Sequence, residues 1–318
     1  MAVLVTGASG FVGGAVCRAL VASGEGVRAL ARSDAAAETV AALGARPVRG
    51  SLEDPGSLVE AARGVEVVYH VAGRNEPCPR DLAGLYRANV AGAVAVVEAA
   101  ARAGARRVVL TSSAAAIGEP RGSVATEETV PVGFPSHYAR SKYLGERAAF
   151  ETAARFGIEL VAVLPSSVQG PGRATGSARL FRLAASRRRL VVPDTAFGIV
   201  DVDDCARGHL LAARRGGAGR RYLLSGATVT AAEAVRLVAE ALGRTVEVRA
   251  VGRRLLRLAV PVAAVLPGDL VCPDTLRTLA HGHRFDARRS REELGLDYTP
   301  VAETVARTVR WLRSTGAL

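Results

Sequence analysis

Short runs rich in valine and leucine, without alternation, recur through the first half of the chain, at Ala2–Thr6, Val27–Ala31, Arg46–Val48, Val65–His70 and Arg107–Thr111. Unbroken apolar runs of this length predict strands of a parallel sheet buried on both faces. Between them the apolar positions fall at helical spacing, over about Phe11–Ser23, Ala35–Leu43, Ser57–Ala62 and Tyr86–Ala103. Asp54-Pro55 gives the third helix a cap and an early proline, and Gly104 ends the fourth. A long helix follows at about His137–Phe156, then a sixth strand, Glu159–Leu164, closed by Pro165. Strand and helix in regular alternation predict the α/β class, a doubly wound parallel sheet with right-handed crossovers.

Beyond Gly170-Pro171-Gly172 the pattern loosens into shorter elements. Thr230 with Glu233, and Ser290 with Glu293, read as capping boxes that start helices at about 231–242 and 291–294. The last helix, about Val301–Arg313, is amphipathic. The expected division is a nucleotide-binding unit over 1–169 and a mostly helical, interleaved substrate lobe over 170–318. Parts of 190–228 are expected to complete the sheet.

Composition narrows the class. The 318 residues are 49% hydrophobic and 23% charged, enough for a sizeable core. The N-terminal apolar run passes directly into a glycine motif and reads as a strand, not a signal peptide. Leu255–Leu266 carries Arg257 and Pro261 and is too short to cross a bilayer, so no membrane span is expected. Cys17, Cys78, Cys205 and Cys272 are scattered, which argues for a reducing, cytoplasmic setting without disulfides or zinc. His281-Gly-His283 lacks a carboxylate at ligand spacing and reads as a polar loop, so no metal is expected. The net charge of +12 raises nucleic-acid binding, but aromatics are only 4% and not interleaved with the charges. A small-molecule substrate, drawn in by a basic surface, fits better.

One count stands out. Of 42 Lys and Arg residues only Lys142 is lysine. It marks a place where guanidinium fails, being too large, too rigid and unable to lose its proton. With 6 tyrosines in the chain, a randomly placed lysine would follow one by four residues roughly 2% of the time. Lys142 follows Tyr138.

The glycines of Thr6-Gly7-Ala8-Ser9-Gly10-Phe11-Val12-Gly13 sit between the first strand and first helix. Gly7 permits a tight turn, Gly10 lets backbone N–H groups approach a pyrophosphate, and Gly13 lets helix and strand pack closely. The helix N-terminus adds dipole and free donors, so the sheet is expected to be of the Rossmann type. After the second strand, Arg32 and Ser33 suit a 2′-phosphate, while Asp34 falls two positions on and reads as a helix cap. NADP(H) is therefore favoured, with NAD(H) the alternative. At the other end Tyr138 and Lys142 share a helix face, and a neighbouring ammonium would favour the phenolate. Thr111-Ser112-Ser113 ends the fifth strand, where a hydroxyl can meet a substrate oxygen. Asn89 is a further polar candidate.

Together these residues resemble the extended short-chain dehydrogenase/reductase superfamily, also called the NAD-dependent epimerase/dehydratase family. The resemblance rests on Gly7, Gly10 and Gly13; Val68–Ala72; Asn89–Gly92; Thr111–Ser113; Tyr138 and Lys142; Pro165–Pro171; and Val200–Asp204, in the family's order. Within it, Val27–Arg32, His137–Lys142, Gly198–His209 and Phe285–Gly295 are similar to the dihydroflavonol-reductase-like branch, most of all to hopanoid-associated sugar epimerases. The resemblance implies Tyr138 as acid/base, Lys142 on the ribose and Tyr138, Ser113 on the substrate oxygen, and Asn89 supporting a relay water. It also implies cofactor contacts at Gly7, Ser9, Gly10, Phe11, Val12, Gly13, Ala72, Gly73, Pro165 and Val168. Ser51 and Leu52, also expected to contact the cofactor, stand where the family has an acidic residue, and Ala93 where it has threonine. A homodimer through the helices at about 86–103 and 138–156 is implied as well.

The expected activity is hydride exchange between a secondary alcohol and a ketone. The alternatives are a sugar-nucleotide epimerase or dehydratase holding NAD tightly, and a dinucleotide-sensing binding protein. The substrate is expected to meet Arg74–Arg80, Gly133–His137, Ser166–Leu183 and Leu255–Leu266, with Phe134 and His137 as possible contacts.

Overall fold

The structure, a computed structural model, describes residues 1–174, 178–265 and 272–318. The first half runs β1 (Ala2–Thr6), α1 (Phe11–Ala22), β2 (Gly26–Ala31), α2 (Asp34–Ala42), β3 (Arg46–Arg49), α3 (Pro55–Ala62) and β4 (Val67–His70). Then come α4 (Leu82–Tyr86), a π-helical turn (Arg87–Ala91), α5 (Gly92–Arg102), β5 (Arg107–Thr111), α6 (His137–Phe156) and β6 (Glu159–Pro165). The second half holds β7 (Ser167–Gln169), α7 (Ala178–Ser186), β8 (Arg189–Pro193), β9 (Ala196–Asp201), α8 (Val202–Arg215), β10 (Arg221–Leu224) and β11 (Ala227–Thr230). It closes with α9 (Ala231–Ala241), β12 (Glu247–Val251), α10 (Arg253–Val265), α11 (Pro273–His281), α12 (Arg288–Leu294) and α13 (Val301–Ser314).

Seven parallel strands form the central sheet in the order β3-β2-β1-β4-β5-β6-β10. Side chains alternate across it, so Val3, Val5, Val67 and Val109 face α1 and α8 while Leu4, Val68, Val108 and Leu110 face α3, α5 and α6. Both faces of the central strands β1, β4, β5 and β6 are covered, which is why these are largely apolar, whereas the edge strand β3 carries Arg46 and Arg49 and is mostly exposed. The smaller lobe has its own core around Phe181, Ile199, Val235, Val238, Val305 and Leu312. A three-stranded sheet, β11-β9-β7, links it to the main body.

Several expectations change in detail. The helix placed at Tyr86 begins at Leu82 and passes through the π turn. That combined helix, Leu82–Arg102, is apolar and long enough to span a membrane by length and composition, yet 44% of its most apolar window is buried within the protein. Ser33, not Asp34, caps α2, its hydroxyl accepting from Ala36 N at 3.3 Å. The Thr230–Glu233 capping box forms, but Ser290 does not start a helix. α12 begins at Arg288, and the Ser290 hydroxyl donates to Ala287 O, 2.8 Å away.

The cysteine expectation is overturned. Cys78 and Cys272 form a disulfide with Cα atoms 5.9 Å apart across 194 residues of sequence. Spacing along the chain cannot show a pairing made by the lobe returning over the sheet edge. Only Cys17 and Cys205 are free thiols, both buried, and the inference of a reducing compartment from four unpaired cysteines loses its support.

Candidate active site

Carboxyl ends of parallel strands meet helix N-termini along one edge of the sheet, and there a cleft of about 1160 Å³ opens. Gly7, Ser9, Gly10, Phe11, Val12 and Gly13 form its floor. Gly7 turns at φ 74°, and a Cβ on it would lie 2.7 Å from Ala72 Cα. A Cβ on Gly13 would fall 2.1 Å from the Gly7 carbonyl oxygen, so helix and turn touch only because both residues are glycine. Gly10 precedes α1 with no side-chain cap, and the helix has no acidic residue in its first turn. Its first N–H groups are thus available to an anion.

Arg32, Ser51, Leu52, Ala72 and Gly73 line the same cleft. Ser33, Asn89, Ser113, Tyr138, Lys142, Pro165 and Val168 are not part of that lining. The Ser33 hydroxyl is taken by the α2 cap; Pro165 ends β6 opposite Leu224; Val168 pairs with Val200 in the linking sheet. Asp34 is not part of the cleft lining; it lies 3.0 Å from Arg49, with its side chain 89% exposed. Arg32, just past β2, lines the cleft, as does Glu53.

Tyr138 and Lys142 lie one turn apart in the first turns of α6, whose N-cap Ser136 accepts from Ala139 N at 3.2 Å. Lys142 Nζ donates to the carbonyl oxygen of Thr111 at 2.7 Å. It also borders Gly73, on which a Cβ would sit 3.7 Å from Nζ. Burial lowers the ammonium to about 8, with Glu146 one turn on pulling the other way. Thr111 is held in turn, because its hydroxyl meets His209 Nε2 at 2.8 Å. His209 Nδ1–H donates to Cys205 O at 2.7 Å, and burial keeps this ring neutral, with a value of about 4.

Burial raises the Tyr138 phenol above its ordinary value; a hydrogen bond from Ser113 and the charge of Arg173 work against that rise. The Arg173 guanidinium also stands 5.9 Å from the Phe11 ring. With arginine so abundant, nothing in the sequence distinguished Arg173 from the others. Ser113 caps the short turn Ala114–Ile117, which fixes its backbone at the strand end.

Asn89 sits in the π turn, 4% exposed. Its Oδ1 accepts from Arg74 N at 2.8 Å, and Nδ2 donates to Arg74 O at 3.0 Å and Ser141 Oγ at 2.9 Å. Both amide protons are engaged, so the side chain ties the loop after β4 to α6. Arg74 itself pairs with Glu76 and Asp81. Of the expected substrate contacts, Phe134 packs at a tilt on Tyr143, ring centroids 4.7 Å apart, and His137 meets Tyr86 edge-on. His137 N donates to Asp274 on α11 at 2.8 Å. Residues 175–177 and Leu266 of the expected pocket lie outside the described residues.

Residues 3–225 match the model of the NAD dependent epimerase/dehydratase family. The chain is 33% identical to sterol demethylase protein B of Methylococcus capsulatus over 330 aligned positions, covering 100% of both chains. It is 33% identical to a 4-hydroxy-2-methyl-3-oxo-4-farnesyl-3,4-dihydroquinoline-1-oxide ketoreductase of Stigmatella aurantiaca, covering 78% of this chain and 75% of that one. Among solved structures, MoeE5 in complex with UDP-glucuronic acid and NAD superimposes with a TM-score of 0.79 at 26% identity, over 99% of this chain and 100% of that one. With its glycine turn, its Tyr138–Lys142 pair and a match across most of its length, this chain belongs to the NAD-dependent epimerase/dehydratase family, within the extended short-chain dehydrogenase/reductases.

Proposed function

We propose that this protein is a freely exchanging, NADP(H)-using carbonyl reductase that interconverts a ketone and a secondary alcohol. The observation that carries the reading is Tyr138 beside Ser113 on the same sheet edge as a cleft with an uncapped helix N-terminus and Arg32. The cleft fits a dinucleotide: the α1 N–H groups would hold the pyrophosphate, Arg32 a 2′-phosphate, and Lys142 the ribose hydroxyls next to the nicotinamide. Such a cofactor, when bound, would supply the hydride chemistry at the substrate carbon.

In reduction Tyr138 gives its proton to the carbonyl oxygen as that oxygen gains charge, and Ser113 donates a hydrogen bond to the same atom. Burial keeps Tyr138 protonated, the form reduction needs. In oxidation Tyr138 takes the proton back, and the Arg173 guanidinium favours the phenolate. The ketoreductase relative supports this direction of chemistry. Its substrate and that implied by the sterol relative's name are largely apolar, which fits a hydrophobic ketone here.

Tyr138→Phe tests the mechanism. It should retain NADPH affinity, measured by nicotinamide fluorescence, and lose turnover by ~10²–10⁴-fold; near-normal turnover would refute it. A second reading, epimerisation with retained NAD, is favoured by the MoeE5 complex. It requires protein that purifies with NAD and turns over a sugar nucleotide without added cofactor. A homodimer through the outer faces of α5 and α6 belongs to either reading, since Leu144 and Phe156 there stay 37% and 36% exposed. Sedimentation of Leu144→Glu protein as a monomer, against a dimer for the unaltered chain, would support it.

A further inference from the structure

α11 touches the active site at two places. At its start, Asp274 accepts from His137 N, next to Tyr138. At its end, His281 reaches Glu119, just past the short turn that Ser113 caps. His283, two residues further on, donates Nδ1–H to Glu119 Oε1 at 2.6 Å, and His281 Nε2 stands 3.7 Å from the same oxygen. The two rings are 5.0 Å apart. His281-Gly-His283 read as a polar loop because no carboxylate lay nearby in sequence; folding brings one from 162 positions away.

The cluster has unused ligand capacity. Glu119 is 1% exposed, yet its Oε2 has no hydrogen-bond partner. His283 Nε2 is likewise buried and unpartnered. Buried lone pairs without a donor or cation are costly and uncommon. One ligand atom from each of Glu119, His281 and His283 can be chosen so that all lie within 4.8 Å of one another. Ligands around a tetrahedral zinc stand ~3.4 Å apart, given metal–ligand distances of ~2.1 Å. Small side-chain rotations close that difference.

We propose that Glu119, His281 and His283 bind one divalent cation of the zinc class. Two imidazoles and one carboxylate select a borderline transition ion over magnesium or calcium, which prefer all-oxygen sets. Three protein ligands leave one position for water. The ion clamps the end of α11 to the segment that carries Ser113, while Asp274 holds the start of that helix to the N-terminus of α6. Its role is structural, and it takes no part in hydride transfer. The site is independent of the reductase reading, because its ligands are separate from the cofactor cleft.

The test uses untagged protein, stripped with a chelator, dialysed, and kept free of thiol reductants. Titration with Co²⁺ should produce visible absorption that saturates at one equivalent, and added Zn²⁺ should bleach it. Zn²⁺ should also raise the melting temperature. In His281→Gln/His283→Gln protein the affinity should fall by ~100-fold or more, and if that variant does not fold, Glu119→Gln provides the comparison. A titration of the unaltered chain with no saturating absorption would overturn the proposal. So would equal binding in a folded ligand variant.

Discussion

Lys142 Nζ lies 2.7 Å from the carbonyl oxygen of Thr111, so the chain's single lysine is anchored to the strand end that leads into Ser113. The site admits a slim ammonium and little else, with Gly73 beside it. Lys142→Arg should therefore lower kcat/KM for carbonyl reduction by ~10²-fold or more, since a rigid guanidinium fork cannot take that position. Circular dichroism should show the fold retained. Full activity in the arginine variant would mean that charge alone suffices.

The same burial sets a pH limit. Lys142 loses its proton as pH rises through about 8, whereas Tyr138, raised by burial, keeps its own. Reduction should decline along an alkaline limb near that value. Glu146 favours the ammonium, so Glu146→Gln should move the limb to lower pH. A profile flat to pH 9 in both proteins would disprove the assignment.

Cofactor choice is expected to rest on Arg32. A charge-assisted hydrogen bond contributes about 1.5–3 kcal/mol, so Arg32→Ala should weaken NADPH binding ~10–100-fold and leave NADH nearly unchanged. Equal weakening of both, by fluorescence titration, would mean that Arg32 supports the cleft without reading the 2′-phosphate.

The Cys78–Cys272 bond ties the loop after β4 to the start of α11. Links that close long loops commonly contribute about 2–4 kcal/mol. Cys78→Ser, or a thiol reductant, should lower the melting temperature, and the reductant should have no effect on the variant. Chain mobility on non-reducing gels gives an independent measure of the bond.

His209 is neutral in the folded protein, its value lowered from 6.5 to about 4 by burial. The unfolded chain binds that proton first, so the contribution to stability is full above pH 6.5 and is lost as pH falls toward 4. The loss amounts to up to about 3 kcal/mol. His209→Gln should flatten the fall in stability over that window relative to the unaltered protein. Parallel curves would assign the acid sensitivity elsewhere.

The strands and the glycine turn were legible because they depend on local pattern: a buried parallel strand must be apolar along its whole length, and Gly7 and Gly13 admit no side chain. Tyr138 and Lys142 were legible from helical spacing and from the rarity of lysine. Other parts depend on contacts between distant segments. Arg173 approaches Tyr138 only after the loop beyond β7 folds back. Ser33 and Asp34 differ by one position, and cap geometry decided between them. Asn89 stood out as a polar residue, but its engagement with Arg74 and Ser141 comes from the loop after β4 meeting α6. The disulfide and the Glu119–His281–His283 cluster join residues whose separation carries no signal.

The place of β10 has a consequence for how the chain can be divided. β6 ends at Pro165, yet the strand that pairs with its outer edge is Arg221–Leu224, reached only after β7, α7, β8, β9 and α8. Arg107, in the middle of the sheet, donates to the carbonyls of Ala213 and Gly216 at the end of α8. A fragment stopping at Gln169 would therefore expose a row of unpaired backbone groups along β6 and leave the Arg107 guanidinium without those acceptors. Such an open edge invites pairing between molecules. The nucleotide-binding sheet is complete only in a polypeptide that has already passed through part of the lobe, and a viable permutation or split has to keep both sides of that excursion.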